Sequence, residues 1–81
     1  MAYTETQLRD MFETAYEFGE RFPDVINWDV FEHVRECHPD LIPWDQEYDQ
    51  YNVFSCCIVI AYKGDIEEAM RFWKGVGFGT G

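Results

Sequence analysis

Acidic side chains recur at a helical spacing near the start of the chain. Five carboxylates advance by three, four, three and four residues: Asp10, Glu13, Glu17, Glu20 and Asp24. On an α-helix, at about 100° per residue, they fall within an arc of about 80°. Like charges three or four residues apart repel one another, so the series opposes helix formation instead of helping it. The pattern therefore favours a surface that binds a basic partner.

A second predicted helix, from about Trp28 to Cys37, repeats this division between an acidic and an apolar face. Three of its carboxylates share one face, and a fourth follows just beyond the helix end: Asp29, Glu32, Glu36 and Asp40. Two successive helices are thus each expected to carry a carboxylate stripe opposite an apolar stripe.

The distribution of charge is as informative as its total. The net charge is −10 at pH 7, and residues 1–50 carry all of it, with thirteen acidic and three basic side chains. Residues 51–81 contain three side chains of each sign and are neutral. So acidic a surface repels nucleic acid and anionic membranes, and we expect no direct binding to either. The expected partner is rich in lysine and arginine.

The cysteines and the N-terminal sequence favour a cytoplasmic location. The three cysteines, Cys37, Cys56 and Cys57, are an odd number and a poor disulfide framework, which is typical of a reducing compartment. The first residues lack the basic and then apolar pattern of a signal peptide. The longest apolar stretch is too short to span a bilayer.

The expected fold class is all-α: a compact bundle of about four short helices in a single domain over residues 1–75. The first helix is predicted from about Glu5 to Phe22, with Thr4 as its N-cap and Pro23 ending it. Asn27 is predicted to cap the second helix. Residues 76–81 form a glycine-rich tail that is expected to be flexible.

The segment from Val53 to Tyr62 fits two structures. Its β-branched residues favour a strand, whereas the spacing of its aromatic and small residues fits a helix. We favour a buried helix, because no other segment reads as a strand that could pair with it. An α+β fold with residues 53–62 as a strand remains the alternative.

A tight turn is predicted between the third and fourth helices. Gly64 is expected to take the left-handed conformation that ends many helices. Asp65 and Glu68 are expected to form a capping box at the start of the last helix, from about Ile66 to Lys74.

Residues 64–74 resemble the turn and second helix of a tetratricopeptide repeat. Gly64 occupies the turn, Ala69 the close helix contact and Trp73 the large aromatic position. No second copy occurs at the expected period of about 34 residues. The resemblance therefore implies a helical hairpin, and not the stacked array of that family.

Candidate metal and catalytic groups are sparse. His33, Cys37 and His38 are close in sequence, and a cysteine of the 56–57 pair would complete a tetrahedral zinc site. However, the chain has no C-x-x-C pair, and Cys37 also fits the apolar face of its helix. The chain also lacks a phosphate-binding glycine loop, a G-x-S-x-G motif, an H-E-x-x-H motif and a calcium loop. We expect no catalysis, no metal and no cofactor.

The spacing of the carboxylates approaches that of nucleic-acid phosphates. Asp10 to Asp24 spans about 21 Å of helix, so five charges average about one per 4–5 Å. Phosphates along one DNA strand follow at about one per 3.4 Å. Two such rows on one domain would fit a Lys/Arg groove built for DNA or RNA. The alternatives are an acidic interaction module without mimicry and ordinary solvated helix faces.

In size and charge pattern, the chain resembles small acidic anti-defence inhibitors of the phage type, the anti-CRISPR and anti-restriction proteins that mimic DNA. The resemblance implies a non-catalytic inhibitor that keeps DNA from a CRISPR surveillance complex or a restriction enzyme. The predicted partner-binding residues are Asp10, Glu13, Glu17, Glu20, Asp24, Asp29, Glu32, Glu36 and Asp40.

A helical adaptor without nucleic-acid mimicry is the competing hypothesis. It would dock its partner through exposed aromatic side chains such as Trp28, Trp44 or Phe78. A homodimer is also compatible with the sequence, and would use the aromatic-rich second half of the chain, where no net charge opposes self-association.

Overall fold

The computed structural model describes residues 3–40 and 48–76, and for residues 48–51 their backbone alone. These ranges contain four helices and no β-strand, which confirms the all-α prediction. The helices are α1 (Glu5–Arg21), α2 (Asn27–Cys37), α3 (Tyr48–Lys63) and α4 (Ile66–Gly75). Helix α1 contacts the other three, and α3 also contacts α2 and α4. The trailing residues 77–81, most of the predicted tail, lie outside the described part.

Both ends of α1 follow from local chemistry. The Thr4 hydroxyl accepts a hydrogen bond from the Gln7 backbone N–H at 3.1 Å, and the Gln7 side chain accepts one from the Thr4 N–H at 3.0 Å. This reciprocal pair confirms Thr4 as the cap. The helix ends at Arg21, one residue before the predicted end. Phe22 leaves the helical region with φ −134° and ψ 69° because it precedes Pro23.

The predicted role of Asn27 is wrong. Asn27 is the first residue of α2, and the extended residue Ile26 takes the N-cap position without a side-chain hydrogen bond. The Ile26 carbonyl accepts hydrogen bonds from the N–H groups of Asp29 at 3.0 Å and Val30 at 3.4 Å. The helix therefore begins one residue earlier than predicted, and the Asp29 carboxylate supplies favourable charge in its first turn.

The helix predicted over Val53–Tyr62 is confirmed, and the α+β alternative is wrong. All of this segment lies within α3. Phe54, Cys57, Ile58 and Ala61 are fully buried and follow the i, i+3, i+4, i+7 spacing of one helix face. Burial of this face outweighs the weak strand preference of the neighbouring β-branched residues.

The turn between α3 and α4 forms a helical hairpin, but its details differ from the prediction. Gly64 is not left-handed; its N–H donates to the Ile60 carbonyl at 2.9 Å, which closes the last turn of α3. Asp65 is the N-cap of α4 as predicted, yet its carboxylate accepts from the Glu67 N–H at 2.7 Å. The predicted capping box with Glu68 is therefore wrong. The helix also continues one residue beyond its predicted end.

The core is built around the ring of Phe54. Its centroid lies 5.9 Å from Tyr3, 6.1 Å from Phe12, 6.3 Å from Phe31 and 6.0 Å from Trp73. Three of these rings come from α1, α2 and α4, and the fourth belongs to Tyr3, which precedes α1. One side chain of α3 therefore packs against every other helix. Tilted and edge-to-face rings at these distances pack favourably beyond the area that they bury. The apolar stripes of all four helices thus converge on one centre.

Helices α1 and α3 approach each other closely at Gly19. A Cβ atom at this position would lie 2.2 Å from the Tyr62 carbonyl oxygen and 2.8 Å from its ring. Beyond this crossing, the Tyr62 hydroxyl donates to the Phe22 carbonyl, and the Val25 carbonyl lies 3.4 Å from it. Helix α3 therefore holds the corner between α1 and α2, which carries Asp24.

The buried hydroxyl of Tyr3 makes stability sensitive to alkaline pH. It has no hydrogen-bond partner within the described ranges, and burial raises the pKa of Tyr3 from 10.0 to about 12. The unfolded phenol ionises above pH 10 while the folded one stays neutral, so this contribution to stability is full below pH 10 and lost towards pH 12. We expect Tyr3→Phe to unfold at equal or higher urea concentration at neutral pH and to lose less stability above pH 10. An unchanged alkaline profile would contradict this assignment.

Candidate partner-binding surface

Helix α1 presents four of the predicted partner-binding residues to solvent. Asp10, Glu13, Glu17 and Glu20 are all exposed. The opposite side of the helix is buried against the other helices through Leu8, Met11, Phe12, Ala15 and Gly19. The apolar stripe therefore fixes the outward direction of the acidic one, as the helical spacing predicts.

The corner between α1 and α2 continues the acidic series with Asp24, which is exposed. The Tyr62 hydroxyl of α3 fixes this corner. It donates a hydrogen bond to the Phe22 carbonyl and lies 3.4 Å from the Val25 carbonyl. Hydrogen bonds on both sides of Asp24 restrict the backbone that positions its carboxylate.

Helix α2 carries the second stripe. Asp29 and Glu36 are exposed, and Asp40 is exposed just beyond the end of the helix. Glu32 is half-buried, and its Oε1 lies 3.4 Å from the Arg35 guanidinium. The buried side of α2 is formed by Val30, Phe31 and Val34.

A direct seam joins the two acidic helices. The His33 ring stacks on Phe18 with centroids 4.4 Å apart and planes inclined by 21°. At the C-terminal end of α2, the Thr14 hydroxyl lies 2.8 Å from Nε2 of the capping residue His38. We call the nine exposed or half-buried carboxylates of α1, of α2, of the corner between them and of the residues just after α2 the acidic face. They are Asp10, Glu13, Glu17, Glu20, Asp24, Asp29, Glu32, Glu36 and Asp40.

The acidic face is almost free of internal neutralisation. Eight of its nine carboxylates have no ion-pair partner among residues 3–40 and 48–76; the exception is Glu32. The remaining ion pairs in this part of the chain lie along the contact of α1 with α4. Arg9 contacts Glu67 at 2.5 Å and Glu5 at 3.7 Å, and Lys74 contacts Glu5 at 3.5 Å. Arg9 and Lys74 are thus engaged away from the acidic face, whereas Arg35 pairs with one of its members.

Two pKa shifts reflect this arrangement of charge. The hydrogen bond and charge of Arg9 lower the pKa of Glu67. On the rim of the acidic face, the charge of Glu20 and its hydrogen bond with the Tyr16 hydroxyl raise the pKa of Tyr16. A negative field at the surface disfavours a further negative charge, which is the effect expected where carboxylates are not neutralised.

Neither a protein-family model, nor a curated protein, nor a solved structure matches this chain. None of the described helices has the length and apolar character needed to cross a membrane.

The candidate metal ligands do not form a cluster. Within the described ranges, no three His, Cys, Asp or Glu side chains are arranged to hold a metal ion. Cys37 Sγ lies 3.7 Å from His33 Nε2, but the Nε2 of His38 is directed to Thr14. The stacking of His33 on Phe18 gives the ring a packing role.

Sequence reasoning missed an apolar groove on another side of the molecule. Of its aromatic residues, Trp28 was named by the adaptor hypothesis, while Trp44 and Phe78 of that hypothesis lie outside the described residues. Phe72 was missed, although its position next to Trp73 places it about 100° from the buried face of α4. Both Trp28 and Phe72 are exposed large apolar side chains, at 59% and 41%.

The three thiols are expected to differ sharply in reactivity. Cys37 and Cys56 are exposed, whereas Cys57 is fully buried, and burial followed by the charge of Cys56 raises its pKa to about 12. Because the thiolate is the reactive form, we expect two fast thiols per chain in dilute native protein and a third only on unfolding. Mass-spectrometric counting of alkylated sites measures this, and fast labelling of Cys57 would contradict it.

Proposed function

We propose that this protein binds a basic nucleic-acid-binding protein through its acidic face and blocks access of nucleic acid to it. The observation that carries the proposal is a set of eight exposed carboxylates on two contacting helices, at their corner and just after α2, with no ion-pair partner in the part of the chain that the structure describes. The proposed target is a CRISPR surveillance complex or restriction enzyme in a bacterial cytoplasm. The protein acts by occupying the site, without catalysis or a cofactor.

Electrostatics supports this function over a passive surface. Like charges at i, i+3 and i, i+4 destabilise a helix, and α1 repeats such contacts along its exposed side. A surface that served solubility would normally intersperse lysine and arginine among these acids. Concentrated negative potential instead accelerates encounter with a positive groove and confers strong salt dependence.

The arrangement also supports competition with nucleic acid in particular. The helix rise sets the carboxylates of α1 at intervals near those of phosphates along a strand. The stacking of Phe18 on His33 fixes a second acidic helix beside the first. A groove that binds two phosphate rows is the kind of surface that such a pair of stripes complements.

A competition assay tests the proposal. Purified CRISPR surveillance complexes and restriction enzymes are incubated with fluorescent duplex DNA and increasing amounts of this protein. We expect displacement of DNA from at least one of them, and weaker displacement at higher salt. Binding that leaves DNA in place, or binding lost on Trp28→Ala but insensitive to salt, would favour the adaptor hypothesis instead.

A further inference from the structure

An open apolar groove runs between α2 and α4, with α3 as its floor. Helices α2 and α4 contact α1 and α3 but not each other, which leaves this gap on one side of the bundle. The groove has a volume of about 640 Å³. Its lining residues are Asn27, Trp28, Phe31, Ser55, Cys56, Val59, Ile60 and Phe72.

The groove is bordered by projecting apolar side chains. Trp28 on α2 and Phe72 on α4 line it and remain 59% and 41% exposed. Ile26, just before α2, and Val76, one turn after Phe72, are exposed as well, at 65% and 43%. An apolar groove with exposed aromatic side chains at its edges is typical of an interaction site.

The charge of the lining favours a second copy over a basic partner. None of the eight lining residues is charged, in a chain whose net charge is −10. A basic partner gains nothing electrostatically from such a groove. Two copies of this chain would repel each other across their acidic faces, but not across a neutral lining on the side of α3 and α4.

The rims add complementary charges. Arg35 lies four residues after Phe31 and so on the same side of α2, and Glu68 lies four residues before Phe72 on α4. Both are exposed. Arg35 pairs with Glu32 in its own helix, and a twofold arrangement that sets α2 of one copy against α4 of the other would bring Glu68 of the second copy near the same guanidinium.

We propose that a second copy of this chain docks in the groove to form a symmetric dimer. A twofold interface must be self-complementary. This surface carries both a groove and the projecting rings of Trp28 and Phe72, which would fill the groove of the second copy. A stable interface covers about 800 Å² per partner. That is about one sixth of the 4809 Å² surface of the chain, so the interface would extend beyond the groove to the helix surfaces on either side of it. The acidic face of each copy stays exposed.

Sedimentation of the purified full chain tests the dimer. We expect a mass of twice 9.7 kDa that falls to 9.7 kDa on dilution. Trp28→Gln and Phe72→Gln should each raise the dissociation constant at least about thirty-fold, as expected for an aromatic anchor. Phe22→Gln is the matched control, because the Phe22 ring is 43% exposed but does not line the groove. The dissociation constant of the dimer should be unchanged in this variant. Circular dichroism checks that each variant is folded.

Two further measurements make the outcome decisive. Salt should strengthen the dimer, because it screens repulsion between two chains of charge −10, whereas it should weaken binding through the acidic face. Alkylation of Cys56, which lines the groove, should slow as concentration rises, while exposed Cys37 serves as the internal reference. A folded monomer at every concentration and salt level would overturn the proposal. A dimer unaffected by both groove substitutions would overturn it too.

Discussion

Gly19→Ala is expected to lower the free energy of unfolding by about 3 kcal/mol, the cost of severe overpacking in a core. The added Cβ would lie 2.2 Å from the Tyr62 carbonyl oxygen, a backbone atom of α3 in the most extensive helix contact among the described residues. A flexible side chain could move aside, but here α1 and α3 must separate. The separation would also pull the Tyr62 hydroxyl from the corner that carries Asp24.

Helix propensity alone would predict that Gly19→Ala raises the free energy of unfolding. Alanine is better than glycine in a helix interior by about 1 kcal/mol, so an open position would gain stability. Gly75→Ala provides the matched control, because a Cβ there meets nothing within 4 Å. It should be neutral or stabilising.

Thermal and urea unfolding measure the difference between these two variants. For a domain of this size, about 3 kcal/mol corresponds to a fall in melting temperature of about 15 °C. A Gly19→Ala protein as stable as the original would show that α1 and α3 do not cross as closely as described.

The sequence pattern was sufficient to predict the helices and the direction of the acidic stripes. Each depends on residues within one segment: an apolar stripe must face the core, and the opposite side must then face water. The segment from Val53 to Tyr62 was harder, because a wholly apolar run has little contrast between faces. The absence of any candidate partner strand was the observation that correctly favoured a helix.

Contacts between segments were beyond prediction from the sequence. The hub at Phe54 and the approach of Gly19 to Tyr62 depend on how helices cross, which no spacing within one helix encodes. The groove has the same origin, since it exists because α2 and α4 fail to meet. The errors at Asn27 and Gly64 are local: each residue suits a cap or a left-handed turn, but the backbone satisfied its hydrogen bonds without them.

Neutralising three carboxylates of α1 is expected to abolish most of the binding to a basic target. In the Glu13→Gln, Glu17→Gln, Glu20→Gln variant the side chains keep their size, so the change is one of charge. If each carboxylate meets a cation of the target, the dissociation constant should rise at least about a hundred-fold, as for lost charge pairs of modest strength. Gel-shift competition with duplex DNA measures the loss.

The control variant removes the same charge elsewhere. Glu5→Gln, Glu67→Gln and Glu68→Gln together also change the net charge from −10 to −7. These residues lie outside the acidic face, and two of them belong to exposed ion pairs with Arg9 and Lys74. Exposed pairs contribute little to stability, so this variant should fold and should retain most of its binding.

Salt dependence and stability together separate mimicry from simple acidity. A carboxylate that takes the place of a phosphate should contribute to the salt dependence as a phosphate does. In a plot of the logarithm of the association constant against the logarithm of salt concentration, the magnitude of the slope should therefore fall by about one unit for each carboxylate removed. The α1 variant should be at least as stable as the original, because repulsion along the helix is relieved. If both triple variants lose affinity equally, net charge alone drives binding, and the acidic face is not a phosphate replica. If only the α1 variant loses affinity and slope, the positions of its charges matter, as competition with nucleic acid requires.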